Sequence, residues 1–241
     1  MNPEMKRWND IAAATDDPQT QGPWPDDLRD EWRAVLAGEK TIWESGAFPL
    51  QRRREHEAMI NMVCERKAKV FMEIGADKGG GLMGWMSLAP EILIANEIRG
   101  CPYADLLPRV GDLINFFFSE TSSYAPETVE IVKKKALAWR RIDVLFIDGN
   151  KCEFLRDFNA YRGLMSPGGI VFMHDIQDEA PGRAFAEVAR KYTTARIIDT
   201  TESAEAVLRE DRGLPADSHY EAWLRRWRGS SCGVGVIYIP E

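Results

Sequence analysis

The sequence predicts an α/β fold in which a mostly parallel sheet carries helices on both of its faces. Short apolar runs typical of buried strands alternate along residues 51–241 with segments of helical periodicity. Parallel strands need long crossover connections, and the helical segments between the runs supply them. In such sheets a ligand binds beyond the carboxyl ends of the strands, so the residues that follow each strand are candidates for a functional site.

Apolar periodicity predicts the elements in the first half of this region. The segment REHEAMINMVCERK has its apolar residues at helical spacing, and KVFMEIG is a short apolar run of the buried-strand kind. GGLMGWMSLA suits a helix that begins inside a glycine turn, whereas EILIANEI and LINFFFSE suit a second and a third strand.

The second half repeats the alternation of helix and strand. PETVEIVKKKALAWR predicts a helix because Pro126 suits a first helical position, with acids early and lysines late. IDVLFIDG is predicted as the fourth strand, EFLRDFNAYRGLM as a helix closed by SPGG, and GIVFMHD as the fifth strand. GRAFAEVARKY is predicted as a helix, and ARIIDT and GVGVIYI as the sixth and seventh strands.

Residues 1–50 differ in composition and predict an N-terminal extension of helix and loop, followed by one domain over residues 51–241. The extension contains DDPQTQGPWPDD, whose prolines and glycine break any long helix. We expect its tryptophans to pack on the body of the protein or on another subunit of a homodimer, the alternative being a lid over the site. They are Trp8, Trp24, Trp32 and Trp43. Helices inserted before the last strand are predicted in ESAEAVLREDRGLPADSHYEAWLRRWRG.

Composition and charge argue against several classes of partner. Hydrophobic residues make up 44% of the 241 residues, enough for a sizeable core. The formal net charge of −7 disfavours nucleic-acid binding, because phosphate neutralisation needs a basic face. The two tight basic clusters, at Gln51–Glu55 and Arg225–Arg228, are interpreted as solvated helix faces.

Location is predicted from segments that the sequence lacks. It has no apolar stretch of about 18 residues that would span a membrane, and its N-terminus has no apolar core of a signal peptide. We therefore expect a cytoplasmic protein without a membrane partner. The cysteines form no CxxC pair and are expected to be free thiols. They are Cys64, Cys101, Cys152 and Cys232.

Polar side chains follow the first five predicted strands. Carboxylates in these places can also cap a helix or close a turn, which is the structural alternative for each of them. As a set they predict a site at the carboxyl edge of the sheet. They are Glu73 and Asp77 after the first strand, Glu97 after the second, Ser119–Ser123 after the third, Asp148 after the fourth and His174–Asp175 after the fifth.

The turn VFMEIGADKGGGL differs from a dinucleotide-binding turn at one position. In the G-x-G-x-x-G fingerprint the second glycine admits a pyrophosphate, but Asp77 stands there in this chain. A carboxylate repels a pyrophosphate by about a kcal/mol or more at close range, and it attracts a cationic ligand. S-adenosylmethionine carries a sulfonium and an ammonium and no phosphate. Glu97 lies 24 residues after Glu73, where an acid accepts hydrogen bonds from ribose hydroxyls.

Several segments resemble the class I S-adenosylmethionine-dependent methyltransferases, in particular the small-molecule and sugar O-methyltransferases grouped with cephalosporin hydroxylase-like proteins. The segments are VFMEIGADKGGGL, PETVEIVKKKALAWRRIDVLFIDGN, DFNAYRGLMSPGGIVFMHDI and GVGVIYI. The resemblance covers roughly Gln51 to Ile239. It implies a Rossmann-like, doubly wound sheet of seven strands whose last strand is antiparallel.

The resemblance also implies a cofactor site. Glu73, Gly75 and Gly79 match the motif that holds the methionine end of S-adenosylmethionine, and Ala76 and Asp77 lie in the same turn.

Other matched positions concern the ribose and adenine. Glu97 matches the ribose-binding acid. Thr121–Ser123 matches a segment that reads Gly-Asp-Ser in many relatives and lies near the adenine, so Ser122 replaces the aspartate.

Three residues match positions that bind a divalent cation, Mg²⁺ or Mn²⁺, in metal-dependent relatives: Asp148, which we also count as cofactor-binding, and the pair His174–Asp175. His174 is expected to act as ligand or general base, the alternative being that it only orients Asp175. Many relatives read IDGDHSYEG where this chain has IDGNKCEF, so their histidine is replaced by Lys151. Lys151 can serve as a catalytic base only if desolvation lowers its pKa.

The sequence therefore predicts methyl transfer from S-adenosylmethionine to a hydroxyl of a small molecule or sugar, assisted by a divalent metal. Two alternatives stay open. A nucleotide-cofactor oxidoreductase is disfavoured by Asp77, whereas a non-catalytic relative is suggested by Ser122, Asn150 and Lys151. The remaining histidines, His56 and His219, lie in polar helical stretches and are predicted at the surface.

Overall fold

The computed structural model describes residues 29–45, 49, 51–77, 79–97, 115–119, 122–197 and 233–241. The chain divides into two compact units, Met1–Gly46 with Thr201–Gly229, and Ala47–Thr200 with Ser230–Glu241. The predicted domain boundary at residue 50 stays a prediction. Within the first unit, the described residues form helix α1 (Arg29–Leu36) and a turn that contains the buried Trp43.

The second unit contains a seven-stranded sheet with the strand order β3-β2-β1-β4-β5-β7-β6. Strands β1 to β5 run parallel to one another, and β7 runs antiparallel to both β5 and β6. The predicted doubly wound sheet with an antiparallel last strand is confirmed. The strands are β1 (Val70–Ile74), β2 (Ile92–Asn96), β3 (Asn115–Ser119), β4 (Ile142–Ile147), β5 (Met165–Met173), β6 (Thr193–Ile197) and β7 (Val234–Tyr238).

The helices of the second unit lie where the periodicity predicts them, with differences at their ends. The predicted helix that begins at Pro126 changes into a π-helix after its first 6 residues and ends at Leu137, followed by the left-handed Ala138. The helices are α2 (Arg53–Cys64), α3 (Gly80–Met86), α4 (Pro126–Ile131, continued by the π-helix Val132–Leu137), α5 (Phe154–Tyr161, continued by a 3₁₀ turn Arg162–Leu164) and α6 (Glu179–Val188).

One predicted boundary is wrong. The sequence predicts that SPGG closes α5, but β5 already begins at Met165 and includes these residues. The physical reason is Asp143 on the neighbouring strand β4. Its side chain hydrogen-bonds to this segment at the point where the register of β4 against β5 shifts. Its Oδ1 accepts the hydroxyl of Ser166 at 2.6 Å, and its Oδ2 accepts the backbone N–H groups of Lys69 and Val70 at 2.8 and 3.0 Å.

The sheet buries one apolar layer on each face. One layer joins strand residues to α4, α5 and α6, and the other joins them to α2 and α3. In the second layer, the Trp85 ring stacks on Phe172 and meets Phe146 edge-on, with ring centroids 6.2 and 5.9 Å apart. Because side chains alternate across a strand, the residues two positions after Phe146 and Phe172 continue this layer at the carboxyl edge of the sheet. These residues are Asp148 and His174.

Two features of the structure bear on the predicted location and on the predicted free thiols. Among the described ranges, none of the helices is both long enough and apolar enough to cross a membrane. Cys64 and Cys152 are free thiols at the surface, as predicted. Cys101 and Cys232 lie outside the described residues, as do Trp8, Trp24 and the predicted inserted helices.

Candidate active site

The turn after β1 packs directly against the end of β4. Gly75 has φ +85°, and a Cβ there would lie 2.6 Å from the carbonyl carbon of Asp148. Only glycine tolerates both the left-handed backbone and this close approach. Asp77 is also left-handed, with φ +44°, and its backbone N–H donates to Glu97 Oε2 at 2.8 Å. Gly79, with φ +84°, then begins α3, so the turn is held at its middle and at its end.

Glu73 supports this turn from beneath. Its side chain is buried, and a Cβ on Gly81 would overlap its carboxylate, which explains why the first turn of α3 needs a glycine there. Burial first, and then the negative charges of Asp148, Glu97 and Asp77, raise the pKa of Glu73 well above its usual range. The Trp85 indole N–H opposes this shift without reaching hydrogen-bond geometry. Burial therefore disfavours the charged form of Glu73, whose side chain lies below the turn and does not face open solvent.

Ser122 lies in the loop Ser122–Ala125 between β3 and α4, and β3 is the edge strand beyond β2. The next residue, Ser123, is buried and donates its hydroxyl to Asp157 of α5. Burial raises the pKa of Asp157 to about 7, and Glu153 adds to the shift while the Ser123 bond opposes it. Glu97 and this loop thus occupy the carboxyl ends of neighbouring strands, as the sequence predicts.

A second group of predicted residues meets at the carboxyl ends of β4 and β5. His174 Nδ1 lies 3.0 Å from Asp148 Oδ1 and 3.4 Å from Asp175 Oδ2. One ligand atom from each of the three residues lies within 4.8 Å of the others. Burial favours the neutral imidazole, but the two carboxylates outweigh it and raise the pKa of His174 well above its usual range. The imidazolium in turn holds the pKa of Asp175 far below its usual range against the effect of burial.

Lys151 extends this group but does not meet the condition for a general base. Its Nζ lies 2.6 Å from Asp175 Oδ2 and 3.0 Å from Asp178 Oδ2. Burial would lower the pKa of Lys151, but the two carboxylates raise it above its usual range. An ammonium held in this way neutralises carboxylates and cannot accept a proton at neutral pH. The geometry therefore speaks against the predicted role of Lys151 as base.

The first turn of α2 and the two residues before it belong to the same buried layer, which the sequence interpretation missed. Gln51, Arg52, Glu55 and His56 are all buried, so the predictions of a solvated basic face and a surface histidine are wrong here. Burial first, and then the charge of His174, lower the pKa of His56 to about 4.

Two hydrogen bonds tie this turn to the sheet. Gln51 Nε2 donates to Asp148 Oδ2 at 2.7 Å, and the backbone N–H of Gly233 donates to Glu55 Oε1 at 2.9 Å. One sequence signal points to this arrangement. Glu55 is four and eight residues before Met59 and Val63, so it lies on the apolar face of its helix.

The predicted residues thus fall into two adjacent groups. The turn and Glu97 lie at the ends of β1 and β2, and the histidine cluster lies at the ends of β4 and β5. They meet where Gly75 contacts the Asp148 backbone. Their assignments as cofactor, catalytic and metal residues stay predictions, and His219 lies outside the described residues.

No family model and no curated protein matches the chain. Solved structures do. The O-methyltransferase from Bacillus cereus in complex with SAH (S-adenosylhomocysteine) is 12% identical, with a TM-score of 0.55 over 93% of this chain and 97% of that one. The O-methyltransferase TomG from Streptomyces achromogenes, involved in tomaymycin synthesis and solved with SAM (S-adenosylmethionine), is 14% identical, with a TM-score of 0.54 over 99% of both chains. The SAH-bound Podospora anserina methyltransferase PaMTH1 is 16% identical, with a TM-score of 0.50 over 100% of this chain and 97% of that one.

These likenesses define the class of fold. The chain has the fold of the S-adenosylmethionine-dependent O-methyltransferases, which confirms the resemblance seen in the sequence as far as architecture is concerned. At 12–16% identity they show the fold alone.

Gly75→Ala should destabilise the protein by about 2–4 kcal/mol, because it adds a Cβ against the β4 backbone and disfavours φ +85°. Urea unfolding followed by circular dichroism measures the change. The matched control is Gly163→Ala, where a Cβ would have no neighbour within 4 Å. Equal stability of Gly75→Ala and wild type would contradict the described packing of the turn.

Asp157 should make the protein less stable as pH rises. Its folded pKa lies above the unfolded value, so its contribution is fully present below about pH 4 and is lost as pH rises to about 7. Relative to Asp157→Asn, the wild-type free energy of unfolding should fall between pH 5 and pH 8 by an amount on the order of 3 kcal/mol. Glu187→Gln, which removes an exposed carboxylate from α6, is the control. A parallel pH dependence of wild type and Asp157→Asn would rule out the shift.

Proposed function

We propose that the protein transfers a methyl group from S-adenosylmethionine to a hydroxyl of a small molecule or a sugar. One observation carries the proposal: the turn that presents Asp77 lies directly against the strand end that presents Asp148. A cationic methyl donor beside the first acid is then adjacent to an acceptor beside the second. The solved structures of similar fold support this reading, because they are O-methyltransferases described in complex with SAH or SAM.

The donor side has the chemistry that such a ligand needs. The Asp77 side chain is exposed at the turn, where its carboxylate can pair with the ammonium of the methionine end. Glu97 is fixed by the Asp77 N–H and lies at the end of β2, where an acid can accept the ribose hydroxyls. Gly75 and Gly79 keep the backbone of the turn free of side chains that would exclude the ligand. When bound, S-adenosylmethionine supplies an electrophilic methyl group on a sulfonium.

On the acceptor side, the exposed fractions of the Asp148 and His174 side chains distinguish the roles that we assign to them. The Asp148 side chain is 16% exposed, whereas that of His174 is 4% exposed. Asp148 is thus the group that can contact an acceptor, and His174 positions it through the 3.0 Å contact. In methyl transfer, Asp148 would accept the proton that the acceptor hydroxyl loses as its oxygen bonds to the methyl carbon and the carbon–sulfur bond breaks. Most of the rate enhancement comes from holding the two reactants in line.

The same residues fit a divalent cation such as Mg²⁺ or Mn²⁺. Two carboxylates and one imidazole within 4.8 Å form a donor set that such ions accept. A bound cation would lower the pKa of the acceptor hydroxyl and orient it. Asp148, His174 and Asp175 would hold it, which requires that His174 Nδ1 loses its proton and that Lys151 leaves Asp175.

Binding of S-adenosylhomocysteine, measured by isothermal titration calorimetry, tests the donor side. We expect saturable binding, and we expect Asp77→Asn to weaken it about 5- to 10-fold because a charge pair with the ammonium is lost. Glu187→Gln should bind as wild type does. Failure of the wild-type protein to bind at millimolar ligand contradicts the proposed function, whereas normal binding by Asp77→Asn contradicts only the role of Asp77.

Titration with Mn²⁺ tests the metal. Lys151→Ala removes a cation that competes for Asp175, so Mn²⁺ should bind this variant about tenfold more tightly than wild type. Asp175→Asn should abolish the binding, and Lys191→Ala, at an exposed lysine after α6, should not change it. Equal Mn²⁺ binding by wild type, Lys151→Ala and Asp175→Asn would contradict a metal site at this cluster.

A methyl-transfer assay separates catalysis from the non-catalytic alternative. The acceptor class is first narrowed by mass spectrometry of small molecules that co-purify with the protein. Transfer of a radiolabelled methyl group to a hydroxyl of such a molecule is the expected result. Tight binding of S-adenosylhomocysteine without transfer to any co-purified molecule, with and without Mn²⁺, would favour a non-catalytic role.

A further inference from the structure

Helix α5 holds the loop Ser122–Ala125 by hydrogen bonds to both the side chain and the backbone of Ser123. The Ser123 hydroxyl donates to Asp157 Oδ1, and the Tyr161 hydroxyl donates to the Ser123 carbonyl oxygen at 2.5 Å. Asp157 and Tyr161 are four residues apart and therefore lie on one face of α5. Together they fix the side chain and the peptide plane of Ser123.

A neighbouring contact adds to this grip. The guanidinium of Arg156 lies 5.3 Å from the centre of the Tyr124 ring. The backbone N–H of Ala125 donates to the Ser122 carbonyl at 3.1 Å and closes the loop before α4 begins. Three consecutive loop residues are thereby held by one helix or by the turn itself.

The choice of an acid at position 157 is costly for stability. Asp157 is fully buried on the face of α5 that also buries Phe154 and Phe158. Burying a carboxyl group among apolar side chains is unfavourable unless its partner compensates, and an apolar residue would fill the same space without that penalty. The raised pKa of Asp157 reports this burial. A role in placing Ser123 accounts for an acid that core packing alone does not require.

The residue before Ser123 is Ser122, and its hydroxyl bears on ligand binding. Ser122 Oγ is inaccessible to solvent and has no hydrogen-bond partner among the residues that the structure describes. It lies in the loop that precedes α4 and follows β3 in the chain, and β3 is the strand next to β2, whose end carries Glu97. On the proposed function, this end of the crevice receives the nucleoside, so a hydroxyl free to bond there is available to the adenine ring.

We propose that Asp157 and Tyr161 are positioning residues for the nucleoside end of the cofactor, which hold Ser123 and so aim Ser122 at the adenine. Neither residue touches the ligand. The inference rests on the proposed function, because it needs S-adenosylmethionine in this crevice. It assigns α5 a task in binding, in addition to its packing against the sheet.

The test measures S-adenosylhomocysteine affinity by calorimetry for wild type and four variants. Asp157→Leu, Ser123→Ala and Tyr161→Phe each remove one hydrogen bond between α5 and Ser123. Each should raise Kd about tenfold, the loss expected for one hydrogen bond. Asp157→Asn keeps an oxygen that accepts the Ser123 hydroxyl, so it should bind within about twofold of wild type. Rescue by this variant is what a positioning role predicts.

Phe158→Leu is the control for general loosening of the helix. It removes buried volume from the same face and should lower the melting temperature while leaving Kd within about twofold of wild type. Wild-type affinity in Ser123→Ala and Tyr161→Phe would overturn the inference. It would also be overturned if every variant, Phe158→Leu included, lost affinity in proportion to the fall in its melting temperature. If Asp157→Leu does not fold, Ser123→Ala and Tyr161→Phe decide the matter. No binding by wild type would instead overturn the proposed function, and this inference with it.

Discussion

The contact between the turn after β1 and the end of β4 is the constraint on which the site depends. Gly75 touches the Asp148 backbone, and no side chain can stand between them. This turn also fixes Glu97 through the hydrogen bond from the Asp77 N–H, while Asp148 is fixed by Gln51 and His174. Moving either strand end would therefore disturb both halves of the crevice at once.

Charge balance is the second feature that organises this end of the sheet. Four of the acids at this end of the sheet are accommodated in three different ways. Burial raises the pKa of Glu73 and so disfavours its charged form, whereas Asp148 and Asp175 are compensated by the His174 imidazolium and the Lys151 ammonium. Asp77 is solvated at the surface of the turn. Among these four, Asp77 is the most exposed, and the proposed function assigns it to the donor side and Asp148 to the acceptor side.

Much of this arrangement could be predicted from the sequence. Short apolar runs define the strands because a buried parallel sheet tolerates little else, and the rule that ligands bind at the carboxyl ends brings Glu73, Glu97, Asp148 and His174 together. The first turn of α2 could not be predicted in this way. Its cluster of charged residues resembles a solvated face, and only the spacing of Glu55 from Met59 indicates burial.

Contacts between residues distant in sequence escaped the sequence interpretation for a further reason. The partner of Lys151 at Asp178 lies 27 residues away, and the bond from Gln51 to Asp148 spans 97 residues. Local patterns carry no information about such pairs. The strand start at Met165 was missed likewise, because Asp143, 23 residues before Ser166, sets it.

The crystal structure of the protein with S-adenosylhomocysteine tests the central claim most directly. The account predicts that the ligand lies across the carboxyl ends of β1 and β2, with its ammonium at Asp77, its ribose hydroxyls at Glu97 and its sulfur facing Asp148. A ligand bound outside this crevice, or oriented with its adenine toward Asp148, would contradict the account.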